Sequence, residues 1–463
     1  MQLTIQLILF GIFHRNKMAL LFEYGKWQSI KNKNALHQML KDIWKQRMFV
    51  AANSELSENE TDNHYQPFLQ FDDNQIRANN FVGFIQNGDE VVEIYPKVFR
   101  KHLPNPSENE KMLMLRHIFY WFSYCRKWNF PFNQASLDTI EIDEFPELII
   151  NLIANQFLET VSKQPLTMYQ EVEETLANPR GSINFKRYIS SSLSHSNFQN
   201  IECDYEPFLF DNKVNRVIKY CSRLLMNQTK FSENLRTLQD VVFILDEVED
   251  LHCTLHDIDK ISLNTFFSDY SILLDSCKLI LSQQLYSSRS YDLSQWCLLF
   301  PMEYIFEDFL AGFLENRFSK DWNIEYQKSD EYLSNTPKVF NMQHDIFLTS
   351  RHGTNRKVII DTKYKLRQDN FKTDPKKGVA QSDLYQMVSY AFKRGCTDII
   401  LVYPNISDNI NSPDNFEIIS GFEGAEKITI SAIEIPFSSL TNFSKLDSVL
   451  YDVLETNLNK FIK

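Results

Sequence analysis

Two β-prone runs, residues 339–348 and 356–364, flank the turn-forming stretch His352-Gly353-Thr354-Asn355 and together predict a hairpin. The first run carries Asp345. The second carries the triplet Asp361-Thr362-Lys363. Side chains alternate along a strand, so Asp361 and Lys363 are expected on one face and Thr362 on the other. Two carboxylates that approach across a ladder can hold a hard, oxygen-seeking cation. A neighbouring ammonium can then stabilise an attacking hydroxide or the charge building on a phosphate. The pattern predicts a Mg²⁺-dependent phosphodiesterase site in which Asp345, Asp361 and the main-chain carbonyl of Thr362 hold the ion and Lys363 assists. A D-x-K triplet alone is more often a solvated charge pair; the upstream Asp345 and the flanking helices carry the reading further.

Met302, Ile305, Phe306, Phe309, Leu310 and Phe313 recur at helical spacing after Pro301, which predicts an amphipathic helix with proline at its start. Glu307 borders this apolar stripe, where it can enter a neighbouring site as an auxiliary ligand or water-positioner, or stand as an exposed helical glutamate. Residues 381–394 predict a second helix, with Leu384, Met387, Val388 and Ala391 on one face and Asp383, Gln386 and Tyr390 on another. Gly395 stops it, and residues 396–404 resume as a buried strand. The order helix, strand, strand, helix, strand describes an α/β core over residues 291–463.

Upstream, residues 18–110 are expected to be largely β, with a hairpin around Asn87-Gly88-Asp89 because Asn-Gly tolerates positive φ. Residues 54–64 are polar and acidic, an expected exposed loop. Residues 111–290 are expected to be mainly helical, with long apolar periodicity at 112–121, 148–161, 212–226 and 274–285, interrupted by a turn and short strand at Arg180-Gly181-Ser182-Ile183. The fold class is therefore α+β and multidomain: a β-rich region (1–110), a helical region (111–290) and the α/β core (291–463). Residues 3–13 are apolar but too short to span a bilayer and lack a preceding basic region, so no membrane partner is expected. Translation is expected to start at Met18, with residues 1–17 a mis-called extension or a private strand.

The 463 residues are 43% hydrophobic and 14% aromatic, enough to bury sizeable cores. The seven cysteines occur singly, which indicates neither a zinc site nor a disulfide framework and fits a reducing cytoplasm. A net charge of −12 counts at first against a nucleic-acid partner, but the distribution decides more than the total. Residues 351–377 carry nine Lys or Arg against three Asp, a basic stretch that either holds phosphates or is a solvated loop.

Asp345…Asp361-Thr362-Lys363 followed by Gln386-x-x-x-Tyr390 resembles the PD-(D/E)xK nuclease superfamily, in the branch that carries a Q-x-x-x-Y helix. More narrowly, the chain resembles the McrC family, the nuclease subunits of modification-dependent McrBC restriction systems. The resemblance rests on Phe22-Glu23-Tyr24-Gly25, Val92-Glu93-Ile94-Tyr95-Pro96-Lys97-Val98, Arg180-Gly181-Ser182-Ile183, Phe306-Glu307-Asp308-Phe309, Asp383-Leu384-Tyr385-Gln386-Met387 and Tyr403-Pro404. His344 stands where the superfamily's name puts proline. The resemblance implies a PD-(D/E)xK endonuclease domain at 291–463 with Asp345, Asp361 and Lys363 as catalytic set, Gln386 and Tyr390 on the accessory helix, and Glu307 as a positional candidate.

It also implies Mg²⁺ as cofactor, double-stranded DNA bearing methylcytosine as substrate, and an AAA+ GTPase ring of the McrB kind as partner. The chain has no G-x-x-x-x-G-K-[ST] loop, so GTP is expected on the partner and not here. Residues 18–290 would supply the ring contact and stimulate hydrolysis. Two other functions fit the same residues: a catalytically silent adaptor that activates an AAA+ NTPase, and a stand-alone structure-specific nuclease.

Overall fold

The computed structural model describes residues 17–52, 66–88, 90–126, 142–169, 171–284, 295–352, 356–367, 374–406, 411–419 and 426–461. The expectations for residues 1–16, for the 54–64 loop and for Gly353-Thr354-Asn355 lie outside them. By contact, the chain forms two units, Met1–Phe145 with Cys297–Lys463, and Pro146–Trp296. The expected boundary at residue 110 thus falls inside the first unit.

The first unit opens with β1 (Lys17–Phe22) and β2 (Gln28–Ser29), followed by helix α1 (Lys33–Ala52). Leu36, Met39, Leu40 and Ile43 fall at helical spacing and are buried, so the 18–110 region is less uniformly β than its other runs suggest. β3 (Leu69–Asp72) and β4 (Gln75–Ala78) pair with β2 in a small sheet. The Asn-Gly turn joins β5 (Phe81–Asn87) to β6 (Glu90–Tyr95) as expected, with Gly88 at φ +60°. β1 runs parallel to β6, which buries Phe22 and Tyr95 together.

Helix α2 (Glu108–Tyr124) starts on a capping box in which Ser107 and Glu110 satisfy each other's backbone N–H groups. At the end of this first stretch, Glu93 is fully buried and accepts from Phe145 N (2.8 Å) and Tyr95 Oη (3.1 Å). Burial pushes its carboxyl up to about 7 against those bonds. The folded state therefore holds a proton here that the unfolded chain releases above its ordinary carboxylate range. The stabilisation is complete at low pH and is lost as pH rises through about 7. Urea unfolding at pH 5 and pH 8 should show wild type losing stability across that window, and Glu93→Gln losing less of it. An identical pH dependence in the two proteins would contradict this.

The second unit holds α3 (Phe145–Lys163, which begins one residue before it), α4 (Lys213–Gln228), α5 (Ser232–Ile244) and α6 (Ser268–Gln284). α3, α4 and α6 match the second, third and fourth periodic runs expected to be helical, the first run is α2 in the first unit, and α5 is not among them. The region also carries five short strands, β7 (Met168–Tyr169), β8 (Val172–Leu176), β9 (Ser182–Ile183), β10 (Ile201–Tyr205) and β11 (Phe208–Leu209), of which only β9 is expected from the sequence. They form two small sheets, β8-β10-β9 and β11-β7. Arg180-Gly181 leads into β9, and Arg187 pairs with Glu202 at 2.9 Å.

Returning to the first unit, β12 (Gln295–Pro301) completes the sheet β1-β6-β5-β12. Helix α7 (Met302–Phe318) follows with Pro301 as its N-cap and buries Met302, Ile305, Phe306, Phe309, Leu310 and Phe313, the stripe expected from sequence. A six-stranded mixed sheet then forms in the order β13-β14-β15-β16-β18-β17. Its members are β13 (Trp322–Asn335), β14 (Lys338–Ser350), β15 (Lys357–Thr362), β16 (Asp398–Asn405), β17 (Asp414–Ile418) and β18 (Ile428–Pro436).

β14 and β15 are the expected antiparallel hairpin, and β15, β16 and β18 run parallel. Helix α8 (Gln381–Arg394) supplies the crossover between β15 and β16, ending on Gly395 at φ +56°. Helix α9 (Leu446–Leu458) closes the chain. No described helix is long and apolar enough to cross a membrane.

Candidate active site

β15 is buried along Val358, Ile359 and Ile360, so its C-terminal end delivers Asp361 into the interior at 3% exposure. Regular pairing with β14 stops at Ile346↔Ile360, leaving Asp345 and Asp361 at the open end of the ladder. Lys363 Nζ lies 2.6 Å from Asp361 Oδ2, with a side chain that is 18% exposed. The contact is a short ion pair on a buried oxygen of Asp361.

Burial and then the charge of Asp345 raise the Asp361 carboxyl to about 7 against the pull of Lys363. Burial also works against the Lys363 ammonium. Asp361, Asp383 and Asp345 outweigh it and hold that group above its ordinary value. Lys363 is thus a fixed positive charge among carboxylates, unsuited to accept a proton.

Thr362 departs from its expected orientation. Its backbone N and its Oγ1 both donate to Asp345 Oδ2 at 2.7 Å. Strict alternation fails here because the chain has left the β14 ladder: Lys363 N turns instead to Val402 O on β16 (2.8 Å), and Lys365 N closes on Lys363 O (2.7 Å). One oxygen of Asp345 is therefore committed to anchoring the strand end.

Helix α8 braces the other carboxylate strand. Gln386 Nε2 donates to Tyr390 Oη (2.9 Å), which donates to Gln343 O (2.9 Å), two residues before Asp345. The Tyr390 ring packs on His344, centroids 4.3 Å apart. His344 is fully buried within β14. Burial raises the Tyr390 phenol, and Asp361 and Asp345 add to this, so the hydroxyl lies within their field. Glu307 is half-buried on α7 and accepts from Gln327 Nε2 at 3.1 Å. Burial first, then the charges of Glu307, Asp308 and Asp345, push the Tyr326 phenol well above its ordinary value.

Asp383 was absent from the expected site set. It pairs with Lys365 at 2.6 Å and acts on both Asp361 and Lys363. Its signal was its place one turn before Gln386 on the same helical face. The basic stretch carries less free charge than its composition suggests. Arg356 pairs with Asp398, Lys363 with Asp361, Lys365 with Asp383 and Arg367 with Asp414. Among the described residues, no three His, Cys, Asp or Glu side chains cluster as a ready-made metal cage.

A family model described as McrBC 5-methylcytosine restriction system component matches residues 76–404. The chain belongs to the McrBC family. The matched span contains Glu307, Asp345, Asp361, Lys363, Gln386 and Tyr390. A chain from the refined half-complex of the tetradecameric assembly of Thermococcus gammatolerans McrB AAA+ hexamers with bound McrC is similar in fold. Its TM-score is 0.66 at 16% identity, over 95% of this chain and all of that one. A chain of the Thermococcus gammatolerans McrBC complex matches with TM-score 0.48 and 18% identity, over 65% of this chain and 88% of that one. No curated protein matches the chain in sequence.

In this McrBC-family chain the bond from Tyr390 to Gln343 has a measurable consequence. Tyr390→Phe keeps the ring on His344 and leaves Gln343 O and Gln386 Nε2 without the hydroxyl, which should cost about 1 kcal/mol in urea unfolding. Unchanged stability would mean that α8 does not brace β14.

Proposed function

We propose that this chain is the Mg²⁺-dependent DNA endonuclease subunit of a McrBC-like restriction complex that cuts methylcytosine-containing foreign DNA, with residues 291–463 as its PD-(D/E)xK core. What carries the reading is the Asp361–Lys363 ion pair beside Asp345 at the end of β15. Mg²⁺ keeps several waters and takes one or two carboxylates, so the absence of a three-residue cage does not count against it. Asp345 and Asp361 repel each other at the buried end of the ladder, and a divalent cation would relieve that repulsion. Asp345, Asp361 and the Thr362 carbonyl would hold it. When bound, the ion supplies Lewis acidity toward the scissile phosphate and the attacking water.

The chain's own groups do the rest. Lys363, kept protonated, stabilises the negative charge of the attacking hydroxide and of the phosphate as its diester bond breaks. Asp345 fixes the 361–362 backbone through Thr362. Tyr390, held by Gln386, fixes β14 before Asp345. Glu307 stands at the rim, oriented by Gln327, as an auxiliary water-positioner.

Cutting is driven by an AAA+ GTPase partner, in keeping with the McrB hexamers of the similar assembly. The contact falls within residues 18–290. Supporting this, Tyr169, Phe185, Ile189, Phe198 and Phe208 are each at least 59% exposed in the strand-bearing part of the second unit, where an apolar surface awaits a partner. Co-expression with the AAA+ protein encoded beside it should give cutting of methylated plasmid that requires Mg²⁺ and GTP and spares unmethylated plasmid. Stimulated nucleotide hydrolysis with no cutting would mean an adaptor, and cutting without partner or nucleotide a stand-alone nuclease.

A further inference from the structure

Glu23 is fully buried just beyond β1, a costly position for a carboxylate. Its Oε2 accepts from Lys97 N (2.9 Å) and from Tyr364 Oη (2.8 Å), a residue 341 positions away in sequence. Its Oε1 is buried with no hydrogen-bond partner. A half-satisfied carboxylate in an interior is costly to bury, so Glu23 is held by the bonds of its Oε2, and one of these reaches a residue beside the site.

That is Tyr364, the residue after Lys363. Its ring is 6% exposed and is clamped between Lys97 Nζ, 4.2 Å from its centroid, and the rings of Phe306 and Phe437. Lys363 itself is held by its backbone N on Val402 O, by the tight closure of Lys365 N on Lys363 O and by its Nζ on Asp361. The Tyr364 hydroxyl is the next anchor along the chain.

We infer that Glu23 is a positioning residue for the nuclease site, holding the Lys363 turn in place through the Tyr364 hydroxyl and so making the amino-terminal sheet part of the active-site support. The inference rests on the nuclease reading above. A displaced ammonium changes the rate at which bound DNA is cut, not the binding of DNA, because small misplacements cost rate steeply.

The test uses the full chain with its AAA+ partner, methylated plasmid, Mg²⁺ and GTP, and compares cleavage rates of wild type, Tyr364→Phe, Glu23→Ala, Glu23→Gln and the Tyr364→Phe/Glu23→Ala double variant. Tyr364→Phe and Glu23→Ala should each slow kcat by roughly 10- to 100-fold, with KM for DNA and stimulated GTP hydrolysis unchanged. The double variant should be no slower than the slower single, since both act through one bond. Glu23→Gln, whose amide oxygen still accepts from Tyr364, should recover most of the rate. Tyr364→Phe keeps the ring and decides the matter even if Glu23→Ala fails to fold. A wild-type rate for Tyr364→Phe, multiplied effects in the double variant, or a loss confined to KM would overturn the inference. If wild type itself does not cut, the nuclease reading falls, and this inference with it.

Discussion

Lys363→Ala should cut DNA roughly 10²–10³-fold more slowly than wild type while stimulating the partner's GTP hydrolysis to the full extent. Lys363 is the cation in contact with Asp361, and the carboxylates around it hold it charged. Its removal takes away preorganised charge stabilisation that bulk water cannot replace in a site this enclosed. Breaking a buried pair often unfolds a protein by stranding the remaining charge. Here that penalty is reduced, because burial and Asp345 already push the Asp361 carboxyl up to about 7, and loss of the ammonium pushes it further toward the neutral form. The variant should therefore melt near the wild-type temperature. Cleavage at the wild-type rate would remove Lys363 from the mechanism, and lost stimulation would mean that its effect reaches the partner contact.

Gly83→Ala should be the most destabilising of the substitutions considered. Gly83 sits in β5 at φ +137°, a backbone conformation that side chains resist, and an added Cβ would lie 2.0 Å from Leu298 O on β12. Backbone strain and a clash against main chain, which cannot rotate away, together cost on the order of 3–5 kcal/mol. The effect would fall on the sheet β1-β6-β5-β12, whose β1 end carries Glu23 and whose β6 end leads to Lys97. Urea unfolding should show the loss as a lowered midpoint. A Gly83→Ala protein as stable as wild type would mean that residues 295–301 do not close that sheet beside β5.

The elements that were legible in the sequence share a clear period. The Asp345 and Asp361 strands alternate around a turn, α8 carries four apolar residues on one face before a terminal glycine, and α7 presents a continuous apolar stripe after proline. β13 was not legible because much of it is half-exposed and polar, from Glu325 through Glu331, leaving no buried face to mark. α1 lay among strand-like neighbours, although Leu36, Met39, Leu40 and Ile43 carry its period. The short strands of the second unit have too few residues for either period to register.

Within the site, residue types and strand order were readable, but contacts set by tertiary closure were not. The Thr362 hydroxyl on Asp345 depends on where the β14–β15 ladder ends. The Glu23 bond to Tyr364 joins segments 341 residues apart, which no local pattern encodes.

Whether Asp361 belongs to a phosphodiester-cleaving site driven by a partner is decided by one experiment. The direct measurement is cleavage of methylated plasmid by the chain and its AAA+ partner with Mg²⁺ and GTP, wild type against Asp361→Ala, with GTP hydrolysis followed in the same reactions. Wild type should show nucleotide-dependent cutting, Asp361→Ala no cutting, and both equal hydrolysis. Equal cutting by the two proteins would contradict that role for Asp361.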